Sequence, residues 1–247
     1  MEWQDEALIL SARPFGENSK IVEVFSPQHG RAAGMVRGAR SKRMRAILQP
    51  GNRVAASWRA RLDDQLGSLG VELVEGRAGL VMEHAWGAFG LGAVAALLAF
   101  VPERDPHPRL YAAANALIDA FALPEAAGEA GVRFELILLE EFGFGLDLSQ
   151  CAGTGATDDL AYVSPKSGRA VSRAAGAPYA DRLFALPAFL ADPAARADAA
   201  GVADGFRLTG YFLGTHVAGA ANKPLPEPRE RFARAVVKAI SRTEAAG

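Results

Sequence analysis

The sequence predicts an α+β chain of two domains: a small strand-built barrel or sandwich, then a helical domain broken by one irregular insertion. Three observations predict it. Residues 2 to 77 hold five short apolar or alternating segments separated by turn residues. After Gly76 the texture changes to Ala and Leu at helical spacing. From Gly143 to Gly176 neither period holds. The expected division is therefore 1–78 and 79–247, with the insertion at about 143–177.

The five expected strands are Glu6 to Ser11, Lys20 to Phe25, Ala32 to Val36, Arg53 to Trp58 and Ser68 to Val74, each with β-branched or alternating apolar positions. Pro14, Gly16, the Pro27 to Gly30 turn, Gly38 and Pro50-Gly51 punctuate them, and Asp63-Asp64 supplies turn residues for the last hairpin. Gly38 to Gln49 is expected to be a loop. Helical spacing covers roughly 79 to 101, 106 to 122 and 129 to 143, with Pro102, Pro106, Pro108, Pro124 and Gly128 at the junctions. Spacing of the same kind resumes from Tyr179, breaks at Pro187 and Pro193, returns through Gly205 to Gly219, breaks at Lys223 to Pro228 and ends with Arg229 to Ser241.

The chain has 247 residues, half of them hydrophobic, which is enough to bury a sizeable core. Its one cysteine, Cys151, leaves no internal disulfide to form and fits a reducing compartment. A cytoplasmic protein is expected. The uncharged run from Ala85 to Val101 approaches the roughly 18 to 20 residues of a spanning helix, but its Ala and Gly content and charged flanks suit a buried helix better.

Charge is distributed unevenly. Residues 31 to 61 contain Arg31, Arg37, Arg40, Lys42, Arg43, Arg45, Arg53, Arg59 and Arg61 and no acid. The whole chain carries 27 Lys and Arg against 28 Asp and Glu, so the rest is strongly acidic. Cations without interleaved acids neutralise successive phosphates, and a small barrel offers a groove for a strand. The plainer alternative is a solvated hairpin whose arginines keep a sheet edge from pairing. Trp58 is the one aromatic among these cations, suited equally to a stacked base or to the core. With so few aromatics, backbone contacts and little sequence preference are expected, and the acidic remainder should confine DNA to the basic face.

Other chemistry is weaker. GLGAVA at 90 to 95 has the dinucleotide-binding spacing, but sits inside an apolar helical run without the preceding strand that the glycine turn requires. His29, His84, His107 and His216 are scattered, without metal-ligand spacing. The pairs Asp63-Asp64, Glu140-Glu141 and Asp158-Asp159 are adjacent residues, which point apart, whereas acid–base work needs convergence. An enzyme would need its site to form in three dimensions, around Glu140, Glu141 and His216. No enzymatic activity is expected.

The segments EALIL, RPFGENSKIVEVFSPQHG and GMVRGARSKRMRAILQPGNRV, with FELILLEEFGFGLDLSQC and YVSPKSGRAVS further on, resemble the RecO family of bacterial recombination mediators. That resemblance implies an N-terminal OB-fold β-barrel followed by an α-helical domain. It also implies a function in the RecF pathway of DNA repair: binding single- and double-stranded DNA, annealing complementary strands, and helping RecR load RecA onto strands coated by single-stranded-DNA-binding protein, SSB. The DNA-binding residues so expected are Arg37, Arg40, Lys42, Arg43, Arg45, Arg53, Arg59 and Arg61. Many members carry a four-cysteine zinc module in the insertion. Here those positions fall at Cys151, Thr154, Ser172 and Ala175, a degenerate set, so a metal-free module packed on Leu160, Tyr162 and Val163 is expected and no cofactor. The family also binds the acidic tail of SSB on the helical domain, for which Arg109, Arg133, Arg207, Lys223 and Arg229 are candidates. A different class of reading is an OB-fold module for RNA or single-stranded DNA with no recombination role. Competition between DNA and RNA strands, and association with RecR, separate the two.

Overall fold

A computed structural model describes residues 1–61, 66–192 and 194–246. The Asp63-Asp64 turn and the Pro193 break lie outside the described residues. Five strands, β1 (Glu2–Phe15), β2 (Ser19–Ser26), β3 (Gly30–Arg37), β4 (Arg53–Arg59) and β5 (Gly67–Glu75), form a closed barrel in the order β1-β2-β3-β5-β4. All neighbours are antiparallel except β3 and β5, which meet in parallel over Gly34–Gly67 and Met35–Ser68. This is the five-stranded OB arrangement. Side chains of Ala7, Ile9, Val22, Val24, Ala32, Val36, Val54, Ala56, Trp58 and Leu69 share one buried core.

Residues 38 to 49 are not simply a loop. They contain a short helix, α1 (Lys42–Ile47). Its first turn is capped by the Ser41 hydroxyl, which accepts from the Met44 amide at 3.2 Å. Met44, Ile47 and Leu48 follow i, i+3, i+4 spacing and pack into the barrel core. Six residues are too few for that spacing to stand out in the chain.

By contacts the chain divides into two compact units, Met1–Phe121 and Ala122–Gly247. Residue 78 is where strands give way to helices, but α2 (Ala78–Glu83), α3 (Ala85–Leu98) and α4 (Pro108–Asp119) belong to the first unit. The physical reason is visible in β1, where Ala7 to Leu10 are all buried. Ala7 and Ile9 face the barrel interior, while Leu8 and Leu10 point outward and need a cover; α3 packs on β1 and α4 on β2. Buried Arg77 completes the joint, donating to Asn115 Oδ1 at 2.5 Å and Asp119 Oδ1 at 2.9 Å. The uncharged run before Val101 is α3, half of whose residues are buried; no helix among the described residues is long and apolar enough to cross a membrane.

In the second unit, α5 (Pro124–Glu141) packs against α8 (Ala199–Phe212) and α9 (Glu227–Glu244), with a π-helical turn at Leu213–Ala218. Helices approach closely where glycine leaves room: a Cβ on Gly131 would lie 2.7 Å from the Phe232 ring. Pro228 does not break α9 but stands in its first turn, where a missing N–H costs nothing. The insertion is more ordered than its composition suggests. It holds two strands, β6 (Leu160–Val163) and β7 (Ala170–Ser172), and a short helix, α6 (Arg173–Gly176); β8 (Phe184–Ala185), just beyond it, completes a sheet in the order β7-β6-β8, and a second short helix, α7 (Ala188–Ala191), follows.

Candidate nucleic-acid interface

β3 ends at Arg37, and Gly38, at φ +65°, turns the chain back toward the barrel. Ala39 enters the core, its amide donating to the Asn18 carbonyl at 3.1 Å, which ties this turn to the β1–β2 hairpin. At the other end of α1, buried Asn52 donates to the Ala46 and Ile47 carbonyls and accepts from the Arg77 and Ala78 amides. With its apolar face fixed inward and both ends tied, the helix keeps its charged residues in solvent. Arg37, Arg40, Lys42, Arg43 and Arg45 are all exposed, and the side chain of none has a partner among the described residues.

The remaining cations are placed differently. Arg53 is half-buried between Glu6 and Glu75, 3.3 Å from each, so its charge is already compensated. Arg59 makes a forked pair with Glu2, at 2.7 and 3.1 Å, which raises the arginine pKa and lowers that of the carboxyl. Arg59 is in register with Ser68, and Ser68 with Met35, two residues before Arg37. It therefore lies just across the barrel seam from the free cluster, in a surface pair open to exchange for a phosphate. Arg61 is exposed, next to the undescribed residues. Arg31 pairs with Glu23 and donates to the Val101 carbonyl, a structural contact.

Trp58 belongs to the core. It is 2% exposed and its indole N–H donates to the Ala33 carbonyl at 2.9 Å, with Trp3 stacked on one side. Two residues outside the basic segment adjoin the cluster instead. On the outer face of β1, Arg13 is in register with Ile21 and then Met35, and Phe15 with Ser19 and then Arg37. Their alternate positions near the end of a strand were the available signal; the expected strand stopped at Ser11, and so missed them.

In the second unit, the four degenerate zinc positions have one sulfur among them. Cys151 is buried, and hydrogen bonds with Ser172 and Thr154 pull its thiol down to about 6. A thiol, two hydroxyls and the methyl of Ala175 do not make the four-ligand tetrahedral set that structural zinc requires. Val163 is fully buried, with Leu160 and Tyr162 partly so. His216 stacks on Phe144 at 4.5 Å, and the cavity lined by Glu140 includes neither Glu141 nor His216. Of the tail-binding candidates, Arg229 is buried against Glu135 at 2.9 Å, Arg207 pairs with Asp204, and Arg133 with Glu129 and the Phe189 carbonyl. Lys223 is exposed and has no partner among the described residues, while Arg109 lies on α4 in the first unit.

Fold and surface together define a class: an OB barrel with a free cationic edge, followed by a helical unit. Comparison with known proteins narrows this. Residues 1–77 match the family model described as Recombination protein O N terminal, and residues 88–225 match Recombination protein O C terminal. The chain is 50% identical to a DNA repair protein RecO of Sinorhizobium medicae over 240 residues, covering 97% of this chain and 96% of that one. It is 53% identical to the Methylobacterium nodulans protein of the same name over 237 residues, 94% and 96% of the two chains. A Brucella abortus RecO is 50% identical over 246 residues, 99% of this chain and all of the other. The chain belongs to the RecO family of DNA repair proteins.

Proposed function

We propose that this chain is a non-catalytic recombination mediator of the RecF pathway. In this reading it binds single- and double-stranded DNA, anneals complementary strands, and works with RecR to load RecA onto SSB-coated strands, touching the acidic SSB tail through its helical part. The observation that supports it best is the group of five exposed cations at Arg37, Arg40, Lys42, Arg43 and Arg45, none with a side-chain partner among the described residues. Annealing brings together two strands that repel each other, and a cationic surface without acids lowers that repulsion by displacing counterions from both. Arg59 and Arg61 extend the track across the seam, Arg59 by exchanging Glu2 for phosphate. Arg53, held by two carboxylates, is left out of it.

The test is a triple variant, Arg40→Glu, Lys42→Glu and Arg43→Glu. Loss of three phosphate contacts should weaken binding for every DNA sequence and flatten the dependence of log K on log salt by about 2 to 3. The same variant should no longer accelerate annealing of SSB-coated complementary strands. Unchanged binding would remove the cluster from the site. A wild-type protein that does not accelerate annealing would sink the mediator reading itself.

A further inference from the structure

The cationic cluster explains attraction to phosphate, but not an exposed aromatic beside it. Phe15 is 48% exposed at the end of β1. It has no polar group to hold at the surface, and its cross-strand neighbour Ser19 is too small to cover it. The next strand in the same row carries Arg37. With strands about 4.8 Å apart, ring and guanidinium stem from backbones about 10 Å apart, with the short serine between them. Arg13 lies two residues back, on the same face of β1 and roughly 6.6 Å along it, exposed and without a partner among the described residues. The hairpin turn bearing Phe15 is joined to the turn bearing Arg40 by the Asn18 to Ala39 hydrogen bond. The ring and the free cations therefore belong to one continuous surface.

We propose that Phe15 is a stacking platform for an unpaired base of single-stranded DNA, with Arg13 and Arg37 taking the phosphates on either side. This rests on the reading of the cluster as a phosphate-binding surface and deepens it. Charge complementarity selects a polyanion, and the exposed ring selects one that can offer a flat apolar face. Unpaired bases do this; in a duplex both faces are occupied by neighbours. Stacking is tolerant of base identity because every base has a π-face. The surface thus discriminates single strands from duplex while remaining indifferent to sequence, whereas phosphate contacts alone distinguish neither.

The test compares wild type, Phe15→Ala and Phe15→Trp on three probes: an oligothymidylate, a duplex of equal length, and an abasic single strand with the same phosphates. Thermal unfolding of each variant checks folding, which an exposed side chain should leave intact. Phe15→Ala should weaken oligothymidylate binding by about tenfold, the effect of losing one aromatic–base stack. Duplex affinity and salt dependence should stay as in wild type, since no phosphate contact is lost. Phe15→Trp should retain wild-type affinity, and the abasic strand should bind wild type and Phe15→Ala alike. Unchanged oligothymidylate affinity in Phe15→Ala, or an equal loss on duplex, overturns the proposal. The two readings fail separately: if the Arg40, Lys42, Arg43 variant binds normally while Phe15→Ala is selectively impaired, the cluster assignment falls and the stack stands.

Discussion

Arg229 and Arg40 carry the same charge in opposite circumstances. Arg229 is 4% exposed, and burial alone would lower its pKa, yet Glu135 and Glu230 outweigh this and hold it up. Its guanidinium also donates to the Phe206 carbonyl at 2.5 Å, and the Thr209 hydroxyl bonds to Glu135. Removing Glu135 leaves the buried guanidinium with only the half-exposed Glu230 as counter-ion, and losing one partner of a buried pair costs more than the pair contributes net. Glu135→Ala should therefore destabilise the helical unit by about 3 to 5 kcal/mol, measured as a lower urea midpoint. A small effect would mean that water replaces the carboxylate. Arg40, with no carboxylate partner among the described residues, keeps its charge available for a ligand. The residue type is identical; the neighbours decide whether it is structure or surface.

Among the elements, the β3–β5 seam is the most exacting. The barrel closes over two register pairs, Gly34–Gly67 and Met35–Ser68, and at the first of them the backbones approach Trp58 and Leu69 so closely that there is no room for a side chain. A Cβ on Gly67 would stand 2.3 Å from the indole, and one on Gly34 would stand 2.6 Å from Leu69 Cβ. Since Trp58 is held by its bond to Ala33, it cannot swing aside without losing a partner. Gly67→Ala should cost about 1 to 3 kcal/mol as an overpacking change, seen as a drop of several degrees in the melting temperature of the first unit. Unaltered melting would show that the seam yields. The element that presents the cations is equally constrained: α1 is placed by Met44, Ile47 and Leu48 in the core and by Asn52 at its end, so its polar side can vary without moving it.

For the molecule as a whole, the compact units do not follow the change of hydrophobic period. A fragment ending at residue 78 would expose Leu8, Leu10 and Phe25 and leave the Arg77 guanidinium without Asn115 and Asp119. A fragment ending at Phe121 keeps all of them covered. The longer fragment should unfold cooperatively and show dispersed amide resonances. The shorter should be aggregation-prone or partly unfolded. A cooperatively folded 1–78 fragment would show that the barrel does not need α3 and α4 as its cover.

Five strands, the switch to helices after Gly76, the cation-rich stretch and the family resemblance were all legible in the residues, because period, turn chemistry and net charge are local properties. Local period marks where strands give way to helices at 78, but not that the helices to Phe121 pack with the barrel, nor that residues 38 to 49 hold a short helix. Only the folded chain could separate Arg53, clasped by Glu6 and Glu75 from the two strands flanking its own, from five cations without a partner among the described residues. Only the barrel register could bury Trp58 and set Phe15 beside Arg37, since that adjacency crosses three strands. The sequence by itself determined the five barrel strands, the change to helices after them and where positive charge concentrates. Which charges remain unpaired, and which aromatic meets solvent beside them, depended on neighbours remote in the chain, and was decided by the closure of the barrel.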